Sequence, residues 1–332
     1  MFQRRKKLTI ILIVIMSLCL LIGLWWRFGT ERLLPWDCTK FETYDAIQGG
    51  CYFECDSDEQ CERISAKVDK ELNNYFETSE SKIAPKKPVA PVDIESKDDI
   101  THLKLEDTGS ETKGIVYTIS KNLTLLDNPT AEHQKLWELF LRIASKDKAL
   151  QYLESFEVFN DPNNSIAASV WQSGGNPKKW HMNVNEAYSD DKKDLIHTMV
   201  HEFGHIVTLN DTQVEQTAGA CPTLTVPEGC TKSSSYINTF QKTYWANYGP
   251  ESIDNEDQQQ AMTRFESAPD DFINDYAATN SIEDLAETWA HFVLKAKPDG
   301  EALKYQKIRS LYNYPELIKE RQRIRSALAQ LI

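Results

Sequence analysis

The chain has 332 residues, of which 50 are acidic and 37 are Lys or Arg, so its formal net charge is −13 at pH 7. A surface this acidic repels nucleic acid and anionic lipid headgroups, so we expect no nucleic acid among its partners. The length allows one large hydrophobic core, or one core with a small additional module.

The first predicted element is a transmembrane helix over residues 8–26. These nineteen residues carry no charge, and a helix of that length spans about 28 Å, enough to cross the hydrocarbon core of a bilayer. Residues 1–7 include four basic residues, which predicts a cytoplasmic tail and an extracytoplasmic remainder. A cleaved signal peptide with secretion is the main alternative, but no small-residue cleavage site follows. Attachment of a lipid at Cys19 is a minor alternative.

Residues 27–78 are predicted to form a small juxtamembrane module. Six cysteines follow the apolar segment, and an even number in an oxidising compartment indicates disulfides. Four of them lie in this module: Cys38, Cys51, Cys55 and Cys61. Their pairing stays open, and a zinc knuckle is disfavoured because paired C-x-x-C spacing is missing. A helix is expected over residues 62–77, and a Pro- and Lys-containing linker over 79–112.

The main domain is predicted over residues 113–332. Strands are expected where β-forming residues cluster, and a helix where apolar residues recur at helical spacing. The predicted strands are 114–119, 156–159, 166–172 and 180–185, and the predicted helices are 131–145 and one or two over 301–332.

A five-residue motif, H-E-x-x-H at residues 201–205, lies in a run with helical periodicity. On a helix, His201 and His205 lie roughly 40° apart on one face, with Glu202 beside them. The opposite face is apolar: Leu195, Met199, Phe203, Ile206 and Val207. A chance match is the alternative, but an amphipathic helix with two imidazoles on its polar face is the setting that a zinc site requires.

The start of this helix is predicted at Ser189, a capping hydroxyl followed by Asp190 and Asp191. The strand 180–185 leads into it through a short loop. This order suits a cleft whose edge strand holds an extended peptide by backbone pairing.

Residues 210–270 are polar and are predicted to form a loop-rich surface insertion, with a lid over the site as the alternative. Cys221 and Cys230 bracket a short polar loop within it and are predicted to form a disulfide.

A catalytic zinc site needs three protein ligands and one open position. The third ligand is expected on a helix capped by Ser281, where Glu283 and Glu287 lie four residues apart. One of these acids can bind the metal while the other holds a ligating imidazole. Glu215 is a weaker candidate because no helical pattern surrounds it. His197 is interpreted as an ordinary, partly exposed histidine, with a role beside the site as the alternative, and His291 as packing one turn beyond Glu287.

These motifs resemble those of the gluzincin metallopeptidases, and most closely the catalytic domain family of anthrax lethal factor. The similarity lies in His201-Glu-Phe-Gly-His205 and in Tyr276-Ala-x-x-Asn-x-x-Glu283-Asp-x-Ala-Glu287. The resemblance implies an α+β zincin-like domain in which an H-E-x-x-H helix lies beside a small mixed sheet. It implies that Glu283 is the third zinc ligand and that Glu287 hydrogen-bonds to a ligating histidine. It also implies that Tyr276 donates a hydrogen bond to the oxyanion. The interval of 78 positions between His205 and Glu283 is longer than that family leads us to expect.

The sequence therefore predicts a membrane-anchored, extracytoplasmic zinc peptidase that binds one zinc ion and cleaves peptide or protein substrates. Glu202 is the expected general base, because it adjoins a ligand without being one. The alternative is a catalytically silent, zincin-like module for binding or adhesion at the cell envelope. The intact Glu202 disfavours that alternative.

Overall fold

The computed structural model describes residues 43–45, 50–52, 58–77, 114–216, 219–249, 257–329 and 331. Several predicted features lie outside these residues: the tail 1–7, the transmembrane helix 8–26, the linker 79–112, and the side chains of Cys38, Cys51, Cys55 and Cys61. Within the part of the chain that is described, no helix has both the length and the apolar character needed to span a membrane. The chain divides into two compact units, Met1–Lys67 and Val68–Ile332.

In the first unit, strands β1 (Thr43–Asp45) and β2 (Gly50–Tyr52) form an antiparallel pair. Helix α1 (Asp58–Glu77) crosses the boundary into the second unit and begins four residues before the predicted start. Its first residues are acidic, and negative charge is favoured at the amino end of a helix.

The second unit is built on a mixed four-stranded sheet, which agrees with the predicted α+β class. Its strands are β3 (Ile115–Thr118), β4 (Leu153–Phe159), β5 (Ala168–Gln172) and β6 (Trp180–Asn185). They lie in the order β3-β4-β6-β5, with β4 and β6 parallel and the other pairs antiparallel. Strand β6, which leads into the helix that carries the H-E-x-x-H motif, pairs on both sides and is an inner strand. Strands β3 and β5 form the two edges of the sheet.

One face of the sheet is covered by helix α2 (Ala131–Ala144), followed by the short helix α3 (Lys146–Tyr152). Trp137 of α2 packs against Phe156 of β4 with ring centroids 5.2 Å apart. Phe140, one turn further along α2, packs against Phe203 with ring centroids 6.4 Å apart. These buried aromatic rings join the sheet, α2 and the helix that carries the H-E-x-x-H motif.

That helix is α4 (Lys192–Leu209), which we call the histidine helix. Its cap is Asp191 and not the predicted Ser189, because the Asp191 carboxylate accepts hydrogen bonds from the backbone N–H groups of Lys193 and Asp194 at 3.2 Å each. Ser189 instead ends a 3₁₀ turn, Glu186–Tyr188, that joins β6 to the helix. Negative charge at this position is also stabilised by the partial positive charge at the amino end of the helix.

Residues 210–270 contain more regular structure than the predicted insertion. Strands β7 (Val214–Glu215), β8 (Thr225–Val226) and β9 (Gly229–Thr231) form a small antiparallel sheet. Helix α5 (Tyr236–Phe240), a π-helical turn (Gln241–Trp245), a 3₁₀ turn (Ala246–Tyr248) and helix α6 (Gln258–Ser267) follow. The predicted Cys221–Cys230 disulfide is present and closes the loop that holds β8.

Helix α7 (Ser281–Leu294), which we call the glutamate helix, carries the predicted acidic residues. Its cap is Asn280, one residue before the predicted Ser281, because the Asn280 side chain accepts from the N–H groups of Ile282 and Glu283 at 2.9 Å each. The predicted carboxyl-terminal region forms two helices, α8 (Leu303–Ser310) and α9 (Pro315–Leu328), joined by the 3₁₀ turn Leu311–Asn313.

The last turn of the glutamate helix is held by arginines of α9. Arg321 donates to the carbonyl of Phe292 at 2.6 Å, and Arg325 donates to that of Val293 at 2.8 Å. Arg325 also donates to Asp69 of α1 at 2.6 Å. Helix-end carbonyls have no partner within their own helix, so these bonds fix the position of the glutamate helix.

Candidate metal centre

The site lies where the histidine and glutamate helices run side by side. Gly204, inside the H-E-x-x-H motif, faces the fully buried Trp289 of the glutamate helix. A Cβ atom added at Gly204 would lie 2.7 Å from Trp289 Cδ1, closer than side-chain atoms approach in proteins. Glycine therefore allows the close approach of the two helices, and that approach brings their polar side chains together.

Gly204→Ala is expected to lower both stability and zinc affinity. Overpacking costs roughly 1–3 kcal/mol, and the better helix propensity of alanine offsets about 1 kcal/mol of this. Chemical denaturation and zinc titration measure the two effects. Gly174→Ala is the control, because an added Cβ there meets no atom within 4 Å. Equal behaviour of the two variants would contradict the role of Gly204 in helix approach.

Three of the predicted residues, His201, His205 and Glu283, converge on one point, and we call them the inner cluster. Glu283 Oε2 lies 3.0 Å from His201 Nε2 and 3.4 Å from His205 Nε2. The two Nε2 atoms are 3.1 Å apart. Both histidines are buried, and the Glu283 side chain is 19% exposed, which leaves one side of the cluster open.

The inner cluster has the dimensions of a zinc site. In tetrahedral coordination with bonds of about 2.0–2.2 Å, ligand atoms lie ~3.3–3.6 Å apart. The observed triangle, with sides of 3.0 to 3.4 Å, would open by only a few tenths of an ångström to match. Two imidazole nitrogens and one carboxylate oxygen are also a donor set that zinc enzymes use.

The orientation of His201 is fixed by Glu287, one turn after Glu283. Glu287 Oε1 accepts a hydrogen bond from His201 Nδ1 at 2.8 Å, so the Nε2 atom faces the inner cluster. The other oxygen of Glu287 accepts from Asn274 Nδ2 at 2.9 Å. A carboxylate behind a ligating imidazole is the usual arrangement in zinc sites. Sequence reasoning did not identify Asn274, which lies two residues before the motif that begins at Tyr276.

The electrostatics of these groups favour positive charge at the inner cluster. Burial alone lowers the pKa of His201, but its hydrogen bonds to Glu283 and Glu287 outweigh burial and raise the pKa well above its ordinary value. Burial raises the pKa values of Glu283 and Glu287, but the neighbouring histidines hold both well below the ordinary range. Two ionised carboxylates therefore flank His201 and favour a bound cation.

Glu287→Gln is expected to weaken zinc binding by roughly 10- to 100-fold, the usual effect of removing the partner of a ligating imidazole. The amide keeps the size of the side chain but removes the charge beside His201 Nδ1. Competition with a chromophoric chelator measures the dissociation constant. Glu138→Gln is the matched control, since Glu138 is exposed and hydrogen-bonds to Gln134 of its own helix. Unchanged affinity in Glu287→Gln would contradict this role.

Glu202 and Tyr276 lie beside the inner cluster. Burial raises the pKa of Glu202 to about 7, an effect that His201 and His205 partly offset, and the Val170 backbone of β5 hydrogen-bonds to its carboxylate. Tyr276 is half exposed, its ring centroid lies 5.6 Å from that of His201, and its hydroxyl hydrogen-bonds to Glu283. One buried carboxylate and the hydroxyl of a half-exposed tyrosine therefore lie beside the inner cluster.

A second group, which we call the outer cluster, consists of His197, Glu287 and His291, with one ligand atom from each within 4.8 Å of the others. His197 Nε2 lies 3.6 Å from Glu287 Oε2, and the His197 and His291 rings are 5.8 Å apart. Burial and the nearby His197 lower the pKa of His291 to about 4. These contacts agree with the alternative interpretation of His197, in which it has a role beside the site.

Glu228, in the disulfide-closed loop, also faces the site, and no spacing signal identified it. Burial raises its pKa, and its carboxylate is close enough to be influenced by His205 and Glu283. Its Oε2 atom is buried without a hydrogen-bond partner among the described residues. Glu215, the weaker candidate for third ligand, lies on β7, where its largely exposed carboxylate is 3.9 Å from Lys232 Nζ. The structure does not bring Glu215 into either cluster.

No protein-family model, curated protein or solved structure matches this chain. The resemblance to gluzincins therefore rests on the two sequence motifs.

Proposed function

We propose that this chain is a zinc-dependent peptidase of the gluzincin type, anchored in the cell membrane by residues 8–26 and active outside the cytoplasm. The observation that carries the proposal is the inner cluster, whose three ligand atoms lie 3.0 to 3.4 Å apart beside a buried acid with a raised pKa. A purely structural cluster would not require Glu202 or Tyr276 next to it.

In this proposal His201, His205 and Glu283 hold the zinc ion. A bound zinc ion polarises a carbonyl oxygen and lowers the pKa of a bound water to about 7. Glu202 would accept the proton of the attacking water and transfer it to the leaving amine, because it adjoins a ligand without being one. The Tyr276 hydroxyl, which hydrogen-bonds to Glu283, turns to donate to the developing oxyanion.

Strand β5 supports a peptide as the substrate. It is an edge strand of the sheet, and within the described part of the chain its outer side pairs with no other strand. Its Val170 backbone hydrogen-bonds to the Glu202 carboxylate. An extended peptide paired along β5 would therefore pass directly beside the general base.

The proposal predicts zinc-dependent cleavage of peptides. The full chain, purified in detergent, is expected to cut members of a broad peptide library, to lose this activity after dialysis against a chelator, and to regain it with about one equivalent of zinc. Mass spectrometry of the products identifies the cleaved bonds. Cleavage that survives removal of all metal would overturn the proposal, and failure to cleave any peptide would favour the silent binding module.

A further inference from the structure

The outer cluster repeats the inner cluster one helical turn away. On the histidine helix, His197 precedes His201 by four residues, and on the glutamate helix Glu287 and His291 follow Glu283 by four and eight. Towards the amino end of the histidine helix, the contacts move towards the carboxyl end of the glutamate helix. His205 lies near Glu283, His201 near both Glu283 and Glu287, and His197 near Glu287. Four residues of helix rise about 6 Å, so the two clusters lie about 6 Å apart along the helices.

We propose that His197, Glu287 and His291 form a second site for a divalent transition metal, with zinc as its first candidate. Two imidazole nitrogens and one carboxylate oxygen are the same donor set as in the inner cluster, and borderline metals such as Zn²⁺, Ni²⁺ and Cu²⁺ bind it. This inference does not depend on peptidase activity.

The carboxylate of Glu287 has the capacity to serve both clusters. Its Oε1 accepts from His201 Nδ1, while Oε2 accepts from Asn274 and lies 3.6 Å from His197 Nε2. Each carboxylate oxygen offers two lone pairs, so Oε2 binds a metal without losing Asn274. The shared carboxylate couples the two sites, because a cation at the outer cluster withdraws negative charge from His201.

The outer site binds metal more weakly than the inner site. The His197 and His291 ring centroids are 5.8 Å apart, compared with 4.8 Å for His201 and His205 in the inner cluster. The side chains of the outer cluster must therefore move further to close around an ion. The His197 side chain is 29% exposed, which gives both access from solvent and freedom to rotate. Ordering a mobile side chain when the metal binds costs free energy, which reduces the affinity for the metal.

The charged residues near the outer cluster have opposite effects on a bound cation. Burial and the nearby Asp191 raise the pKa of Asp194, one turn before His197, and His197 partly offsets this; when ionised, Asp194 favours a cation. Lys295, one turn after His291, contributes to the low pKa of that ring and opposes a cation. The Lys295 ammonium is held by the carbonyl of Phe76 at 2.5 Å, so it does not enter the cluster.

A zinc titration of the metal-free full chain in detergent tests the second site, by competition with a chromophoric chelator and by equilibrium dialysis. The parent protein is expected to bind two zinc ions in two separate events. His197→Gln and His291→Gln are each expected to weaken the second event at least about 100-fold, since loss of a mere outer partner already costs roughly 10- to 100-fold. His201→Ala removes an inner ligand only and should retain the weaker event.

His181→Gln is the matched control, because His181 is another partly exposed histidine, with 24% exposure, that belongs to neither cluster. It is expected to keep both events. Circular dichroism checks that the variants fold, and His197→Gln provides the decisive comparison if the more enclosed His291 does not tolerate substitution. Saturation of the parent at one zinc ion, or two unchanged events in His197→Gln, would overturn the second site.

Discussion

Glu202→Gln is expected to lower kcat for peptide cleavage by about 10² to 10⁴, the usual contribution of a general base. Zinc content and the midpoint of unfolding should stay at the parental values, because Glu202 belongs to neither cluster and glutamine keeps its size and hydrogen-bonding capacity. Steady-state kinetics on one library-derived peptide, together with metal analysis of the same samples, measures all three quantities.

Glu215→Gln is the control for this experiment. Glu215 lies in the same domain but is largely exposed on β7, so all three quantities should equal those of the parent. If Glu202→Gln cleaved the peptide as fast as the parent protein, the assignment of Glu202 as the base would be wrong.

The second large effect is expected for Lys307→Met, which should destabilise the fold by about 3–5 kcal/mol, as when one partner of a buried ion pair is removed. Lys307 Nζ lies 2.6 Å from Asp284 Oδ2, and both side chains are fully buried. Burial raises the pKa of Asp284 to about 6, even though Lys307 and Trp245 hold it down. Without Lys307, the folded protein would contain a buried carboxylate whose charge is not compensated.

The pH dependence of this loss has a definite sign. A folded-state pKa above the ordinary value means that the folded protein binds the proton more tightly, so stability falls as pH rises through that range. Removing Lys307 raises the Asp284 pKa further, and the difference between variant and parent should therefore grow as pH rises above about 6. Urea denaturation at several pH values measures it.

Lys304→Met is the control for this comparison, because it removes a lysine from the same helix. Lys304 lies 3.6 Å from Asp270, whose side chain is 82% exposed, and such surface pairs contribute about 0–1 kcal/mol. Equal losses in the two variants would contradict the importance of the buried pair. Asp284 adjoins Glu283, so Lys307→Met should also weaken zinc binding.

The part of the inner cluster that lies on one helix could be predicted from the sequence. His201 and His205 are four residues apart, and helix geometry alone places them on one face. Glu283 is 78 positions further along the chain; helical spacing made it one of two candidates with Glu287, and only a resemblance between short motifs chose between them. What brings Glu283 to the histidines is the close helix approach at Gly204 and Trp289, a tertiary contact that no local periodicity encodes.

The wrong predictions concern features that neighbouring residues can supply equally well. Ser189 and Asp191 both suit a helix cap, as do Ser281 and Asn280, and tertiary geometry selects between them. Strand β6 is predicted at its observed bounds, but the order of strands in a sheet depends on long-range pairing. The sequence therefore did not indicate that β5 lies at an edge of the sheet.

The region 210–270 was harder to predict for a different reason. Its strands are two or three residues long, too short to show an alternating pattern, and a disulfide holds the loop that contains β8. The buried pair of Lys307 and Asp284 was equally invisible, because isolated charged residues in a helical pattern are usually exposed.

X-ray absorption at the zinc edge, on the full chain loaded with one equivalent of zinc, tests the inner cluster most directly. We predict a shell of nitrogen and oxygen atoms at about 2.0–2.2 Å, with outer scattering from two imidazole rings and no sulfur. His201→Ala should lose this spectrum. Sulfur at about 2.3 Å would instead indicate cysteine ligands, and either that result or an unchanged spectrum in His201→Ala would contradict a zinc site formed by His201, His205 and Glu283.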